Sequence, residues 1–256
     1  MRCPRIEFVP LDVLDIKEIN AFQAKNFTTM GGAVEQTWRK LHHACLTNDF
    51  FKQPSYLGIS NTVGLGSVYT RPQQILQWDI DKLVTVDQKK RIVNSGQPQT
   101  CTYTEKLTVD FQAFVSTSIS QTGVDAELSV AVKNSKNITA QIDNWQIDNL
   151  VKGELADILN TTNDSKLLQY KHDLLTKKLL VIYRVSRING FSAVINLETA
   201  VSAGLAAKLK GGIIQNIGNT EAKLRFSYGS DKQIIVTSLG SFMVFVEFAK
   251  AKQITS

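Results

Sequence analysis

The chain is notable first for what is scarce in it. It offers no run of about eighteen apolar residues, so no transmembrane helix is available. Cysteine is rare, and Cys3, Cys45 and Cys101 are too few and too scattered for a disulfide framework, which favours a reducing compartment. There are only 5 prolines, and 20% charged against 43% apolar residues excludes wholesale disorder and collagen-like or mucin-like chains. The opening Met1-Arg2-Cys3-Pro4-Arg5 lacks the apolar core of a secretory leader, so a soluble cytosolic protein is expected.

Catalytic signatures are missing too. Gly64-Leu65-Gly66 lacks the third glycine of a dinucleotide loop, and neither a Gly-Lys-Ser/Thr phosphate loop nor a Gly-x-Ser-x-Gly elbow occurs. His42, His43 and Cys45 lie close together, but on a helix the two histidines face apart and no further ligand stands at metal spacing. Neither enzyme nor metal nor cofactor is expected.

What is present begins with charge. A net charge of +6 favours anionic partners, either nucleic acid or acidic lipid, and the basic residues are dispersed in small groups. Most of those groups suit ordinary solvated surface.

The apolar pattern is more informative. Residues 6–11 read as a short strand, residues 11–20 as a helix, and residues 33–46 as a helix through Val34, Trp38, Leu41 and Cys45. Residues 56–69 read as strand and turns, residues 73–84 as either helix or strand, and residues 94–100 as loop. From Cys101 to Ile119 the odd positions are mostly apolar, including Leu107, Val109, Phe111 and Val115, and the even ones mostly polar. After a turn at Gln121-Thr122-Gly123, Val124, Ala126, Leu128, Val130 and Val132 share one face of an expected return strand. Ile138, Ala140 and Ile142 continue the alternation, residues 148–160 switch to helical spacing, and residues 164–176 read as helix or loop. Residues 179–187 form an apolar strand.

A second long alternation runs from Phe191 to Leu209, with Ile195, Leu197, Val201, Ala203 and Leu205 on its apolar face. Leu224 and Phe226 belong to a later strand, and residues 242–248 to a buried one. Strands, then helix, then strands predict an α+β fold with a twisted antiparallel central sheet, extended hairpins and packed helices.

Nineteen alternating residues would reach about 60 Å as a strand, against roughly 17–20 Å for an ordinary one. Such a ribbon suits a β-barrel wall, apolar face to lipid and polar face to a water-filled lumen, if many copies join edge to edge. The other reading is a water-soluble sheet with one face on the core.

The stretch Ser129-Val130-Ala131-Val132-Lys133, with Ile138-Thr139-Ala140-Gln141-Ile142 and the helical residues after Asp148, resembles the first hairpin region of the gasdermin family. Residues 178–185, the small-residue segment 203–210 and the strand 232–248 resemble later parts of the same family, so the likeness covers roughly residues 100–250. It implies a pore-forming cell-death or defence effector with a single gasdermin amino-terminal-like domain over residues 1–248 and a short tail, 249–256, as a possible restraint. The effector would be cytoplasmic when inactive and at the cell membrane when activated, by a protease or by loss of a restraining partner chain. Its partners would be acidic membrane lipids and further copies of itself in a large homo-oligomeric pore, not nucleic acid.

The resemblance implies membrane-inserting hairpins near residues 101–132 and 191–228. The first would present Leu107, Val109, Phe111, Val115, Val124, Leu128, Val130 and Val132 to lipid. The second would present Ile195, Leu197, Val201, Ala203, Leu205, Leu209, Leu224 and Phe226. Lipid headgroups would meet Lys177, Lys178, Arg184, Arg187, Lys208 and Lys210, and Cys3 would carry a palmitoyl chain. The alternative is a soluble, non-enzymatic α+β module that binds acidic lipid or nucleic acid.

Overall fold

Alternating apolar residues build strands when one face has a core to meet, and here they build one large antiparallel sheet of twelve strands. The structure is a computed structural model. It describes residues 5–10, 64–70, 76–105, 126–177, 179–216 and 223–254, with Glu35, Trp38, Arg39, His42, Cys45, Leu46 and Ser55. In chain order, β1 (Arg5–Pro10), β2 (Val68–Tyr69) and β3 (Leu76–Trp78) precede a 3-10 turn at Ile80–Lys82 and helix α1 (Val86–Ile92). Then come β4 (Val93–Ser95), β5 (Gln99–Glu105), α2 (Ala126–Lys133), β6 (Ser135–Leu150), α3 (Lys152–Thr161), α4 (Ser165–Thr176), β7 (Leu180–Ile188) and β8 (Phe191–Leu197). The chain continues through α5 (Ala203–Gly211), β9 (Ile213–Asn216), β10 (Lys223–Ser230), β11 (Gln233–Leu239) and β12 (Phe242–Ile254).

The pairing registers show that several strands are halves of longer ribbons. β7 and β8 both run antiparallel to β6, from Asn149↔Arg184 through Trp145↔Ile188 and on to Ile142↔Phe191 and Ile138↔Ile195. Across the break, Asp143 N donates to Gly190 O and Asn189 N to Asn144 O, so the ladder is kept. β4 and β5 line the other flank of β6 in the same way, and β11 and β12 line β8 and β7. The interruptions at residues 96–98, 189–190 and 240–241 fall near one another and form a crease in three ribbons beside an unbroken β6. Glycine is required at two of these points. A Cβ on Gly96 would sit 2.6 Å from Ile147 O, and Gly240 has φ +90°, a conformation that L side chains rarely adopt.

Two hydrophobic cores flank the crease. The first gathers Leu128 and Val132 of α2, Leu205 and Leu209 of α5, and the inward residues of β6, β8, β10 and β11. Trp38, fully buried, closes it with ring centroids 5.9 Å from Phe242, 6.1 Å from Phe191 and 6.4 Å from Trp145. The second gathers α3, α4, β1, β2, β7 and the far end of β12. Along β6, Trp145 and Ile147 turn to the first core and Leu150 to the second, so the two cores press on opposite faces of the sheet.

Several sequence expectations are corrected. The return strand over residues 124–132 is helix α2 from Ala126 onward, and the strand expected through Leu209 ends at Leu197 and gives way to α5. The cause is arithmetic: a residue every four positions is a subset of a residue every two. Leu128 with Val132, and Leu205 with Leu209, fall at helical i,i+4 spacing, and a helix needs no more to bury one stripe. Ser202 Oγ accepts from Leu205 N at 3.0 Å and starts α5, and Gly212 at φ +82° ends it.

Of residues 94–100, the centre at 96–98 is the expected loop while the ends belong to β4 and β5, and β6 runs to Leu150 before helix α3 begins at Lys152. The supposed tail is strand as well, because Ala249 to Ile254 pairs with Pro10 to Arg5. Cys45 and Cys101 are joined in a disulfide; distance in sequence hid a Cα–Cα separation of 5.4 Å. The expected helix at 11–20 and the strand residues 106–119 lie outside the described residues. The described members of the second expected helix, Glu35, Trp38, Arg39, His42 and Cys45, are helical.

Candidate functional site

The candidate site is the first core and the two helices that lie over it. β8 turns Phe191, Ala193, Ile195 and Leu197 inward and leaves Ser192, Val194 and Asn196 partly exposed on its other face. β10 repeats this with Leu224 and Phe226 inward and Lys223 and Arg225 outward, and β6 with Ile138, Ala140 and Ile142 inward. The outer face of this half-sheet carries the pair Val194 and Ile235 among polar residues and is knitted by side-chain amides. Asn196 Nδ2 donates to Asn137 Oδ1 at 2.6 Å, and Gln233 Nε2 donates to Asn196 Oδ1 at 2.9 Å.

α2 and α5 cover the inward face. A half-open cleft of about 160 Å³ separates them, lined by Glu127 and Val130 of α2, by Asn134 just after it, and by Leu197, residues 199–202 and Leu205. The residues expected to meet lipid thus divide into two sets. Leu128, Val132, Ile195, Leu197, Leu205, Leu209, Leu224 and Phe226 are buried together in the first core, and Val201 is half-buried against it. Val130 and Ala203 stay exposed, Val130 at 55%, because a helix can bury only every second member of a period-two row. Leu107, Val109, Phe111, Val115 and Val124 lie outside the described residues, as do Cys3 and Lys178.

The expected headgroup residues are not gathered in one place. Lys177 Nζ lies 2.9 Å from Asp173 Oδ2, Arg184 Nη1 2.9 Å from Glu247 Oε2, and Arg187 Nε 3.0 Å from Asp148 Oδ2. Asp148, Asp173 and Glu247 are buried, so the two arginines and Lys177 act in this fold as counter-charges. Tyr183 also donates to Glu247, and burial together with that carboxylate raises the phenol's pKa. Burial opposes ionisation of Asp173, yet hydrogen bonds from Lys177, Trp78 and Gln169 outweigh it and hold its carboxyl below the ordinary value. Lys208 and Lys210 stand exposed on the last turn of α5, with Lys210 Nζ 5.1 Å from the Tyr228 ring centre.

Sequence reasoning missed these buried acids and the disulfide. Glu247 was legible, since it is the one carboxylate in the apolar run from Phe242 to Ala249 and must find a partner if the strand is buried. Cys45 with Cys101 carried no signal in spacing. Among the described residues, no group of three His, Cys, Asp or Glu side chains is placed to hold a metal, and no helix is long and apolar enough to cross a membrane.

No protein-family model matches the sequence, and no curated protein matches it. Among solved structures, the chain is similar to a bacterial gasdermin from Bradyrhizobium tropiciagri, at 12% identity and a TM-score of 0.38, over 78% of this chain and 86% of that one. At that TM-score the likeness decides neither family nor function, and the chain's own geometry is what bears on its role.

Proposed function

We propose that the protein is a pore-forming effector of the gasdermin kind, in which α2 and α5 leave the first core and re-form as strands that enter a bilayer. The observation that supports this reading is the second set of residues above. Val130, Ala203 and Ala207 are exposed, yet each keeps the apolar parity of its segment. In the folded helices these side chains stand exposed to water rather than in the first core. In an extended ribbon they would line up with Leu128, Val132, Leu205 and Leu209 and complete a lipid-facing row.

Conversion exchanges helical hydrogen bonds for ladder bonds, which are satisfied in lipid only when each strand has neighbours on both sides. The reading therefore includes assembly of many copies, on acidic lipid drawn by cations such as Lys208 and Lys210. It includes a move from cytoplasm to membrane, triggered by a protease or by loss of a restraining partner, and an acyl chain on Cys3 to aid insertion.

The test uses Val130→Asp and Ala203→Asp with dye-loaded vesicles of acidic lipid. Both positions are exposed, and an aspartate at Ala203 falls in the first turn of α5, where the helix dipole accepts it. The folded protein should keep its circular dichroism and melting temperature, while leakage falls by an order of magnitude or more, as a midplane charge on a lipid face demands. Normal leakage by both variants would remove these segments from the membrane. A wild type that never leaks under any activation would leave the soluble binding module, whose open amide-lined sheet face then becomes the surface to probe.

A further inference from the structure

The disulfide joins the helix that carries Trp38 to β5, whose partner among the described strands is β6. Trp38 fills the first core, and Leu46, the residue after Cys45, is buried in the same cluster as Leu128, Val132, Leu205 and Leu209. Trp38 also stacks against Trp145, Phe191 and Phe242, which lie on β6, β8 and β12. The bond thus fastens one wall of the core that α2 and α5 share, and it makes no link to α3 or α4 of the second core. Cys45 and Cys101 are both partly exposed, so a thiolate can reach the sulfurs.

We propose that Cys45–Cys101 is a redox-active clamp, and that a thiol or dithiol reductant opens it to loosen the helices over the first core. The reductant's thiolate attacks one sulfur, the protein's S–S bond breaks as a mixed disulfide forms, and the other cysteine leaves as a thiolate that takes up a proton. A second reductant thiol then displaces the remaining cysteine. The protein has gained two electrons and two protons as two thiols, and the reductant has become a disulfide. With the bond open, the Trp38 helix loses its covalent tie to β5, and the core that α2 and α5 cover loses that anchor on one of its walls. The link to membrane entry rests on the function proposed above; the loosening itself does not.

The experiment follows amide hydrogen exchange in the full chain, oxidised, reduced with dithiothreitol and alkylated, and as Cys45→Ser/Cys101→Ser. Amides of α2 and α5 should exchange about tenfold faster or more after reduction, while those of α3 and α4, over the second core, keep their rates. Unchanged α2 and α5 would overturn the clamp. An equal rise in all four helices would overturn it as well, since the bond would then be a staple for the whole fold. Reduction of the wild type covers the case in which the double variant fails to fold. The same samples are added to dye-loaded vesicles of phosphatidylglycerol and phosphatidylethanolamine. Leakage only after reduction supports both proposals. Loosening without leakage keeps the clamp and sinks the pore, and equal leakage without loosening sinks the clamp and keeps the pore.

Discussion

Glu247 shows how one side chain can hold a sheet together. Buried in β12, it accepts from Arg184 Nη1 and from the Tyr183 hydroxyl, each at 2.9 Å, so two neighbours on β7 are oriented by one carboxylate. Glu247→Ala would remove the carboxylate that balances a guanidinium mostly out of water, and should cost about 3 kcal/mol or more in urea denaturation. Asp173 sets an acid limit. Its unfolded value is near 3.8 and its folded value lower, so folding favours the charged form. Its contribution is therefore full above the unfolded value and is lost as the pH falls through the folded one. Asp173→Asn should be less stable at neutral pH and should lose less on acidification from about pH 5 to pH 2, read by denaturant midpoints. Glu247 could be picked out of its apolar run; Asp173 could not, because Lys177 at i+4 looks like an ordinary surface pair and Trp78, which helps bury it, lies 95 residues away in sequence.

At the scale of elements, the strands of the sheet were largely legible and the helices over it were not. β7, β8 and β10, with much of β6 and β12, lie where alternating or apolar runs predict strand, since a buried sheet face demands an apolar residue at every second position. α2 and α5 satisfy the same demand and fold otherwise, and no reading of periodicity alone separates the cases, because the i,i+4 stripe hides within the alternation. What tips α5 toward helix is local. Ser202 caps it, and Ala206, Ala207, Lys208 and Lys210 are good helix formers. Ser202→Ala should remove about 1 kcal/mol of stability, measured by thermal melts. On the proposed function it should also speed leakage, since it weakens only the soluble form of the segment. A variant that melts lower yet leaks more slowly would count against helix release as the route to insertion.

The whole molecule is governed by the crease and by two cores that share β6, β7 and β12. Breaks in three ribbons lie along one line beside β6, and each core takes one face of the sheet. Gly240→Ala, in left-handed backbone with open space around it, should cost about 1–2 kcal/mol from backbone strain alone, without loss of packing. That value can be read from denaturant curves with the disulfide intact. The antiparallel α+β class was legible in the order of elements, whereas the crease was not, because Gly96, Gly190 and Gly240 look in sequence like three unrelated turns.

β12 is the last strand of the sheet in chain order, yet it lies between β1 and β7 and feeds side chains to both cores. β1 and β7 are bridged only when the segment from Phe242 to Ile254 is in place between them. Loss of that one segment would bare two ladder edges at once, and bare edges are where sheets pair with the wrong neighbour.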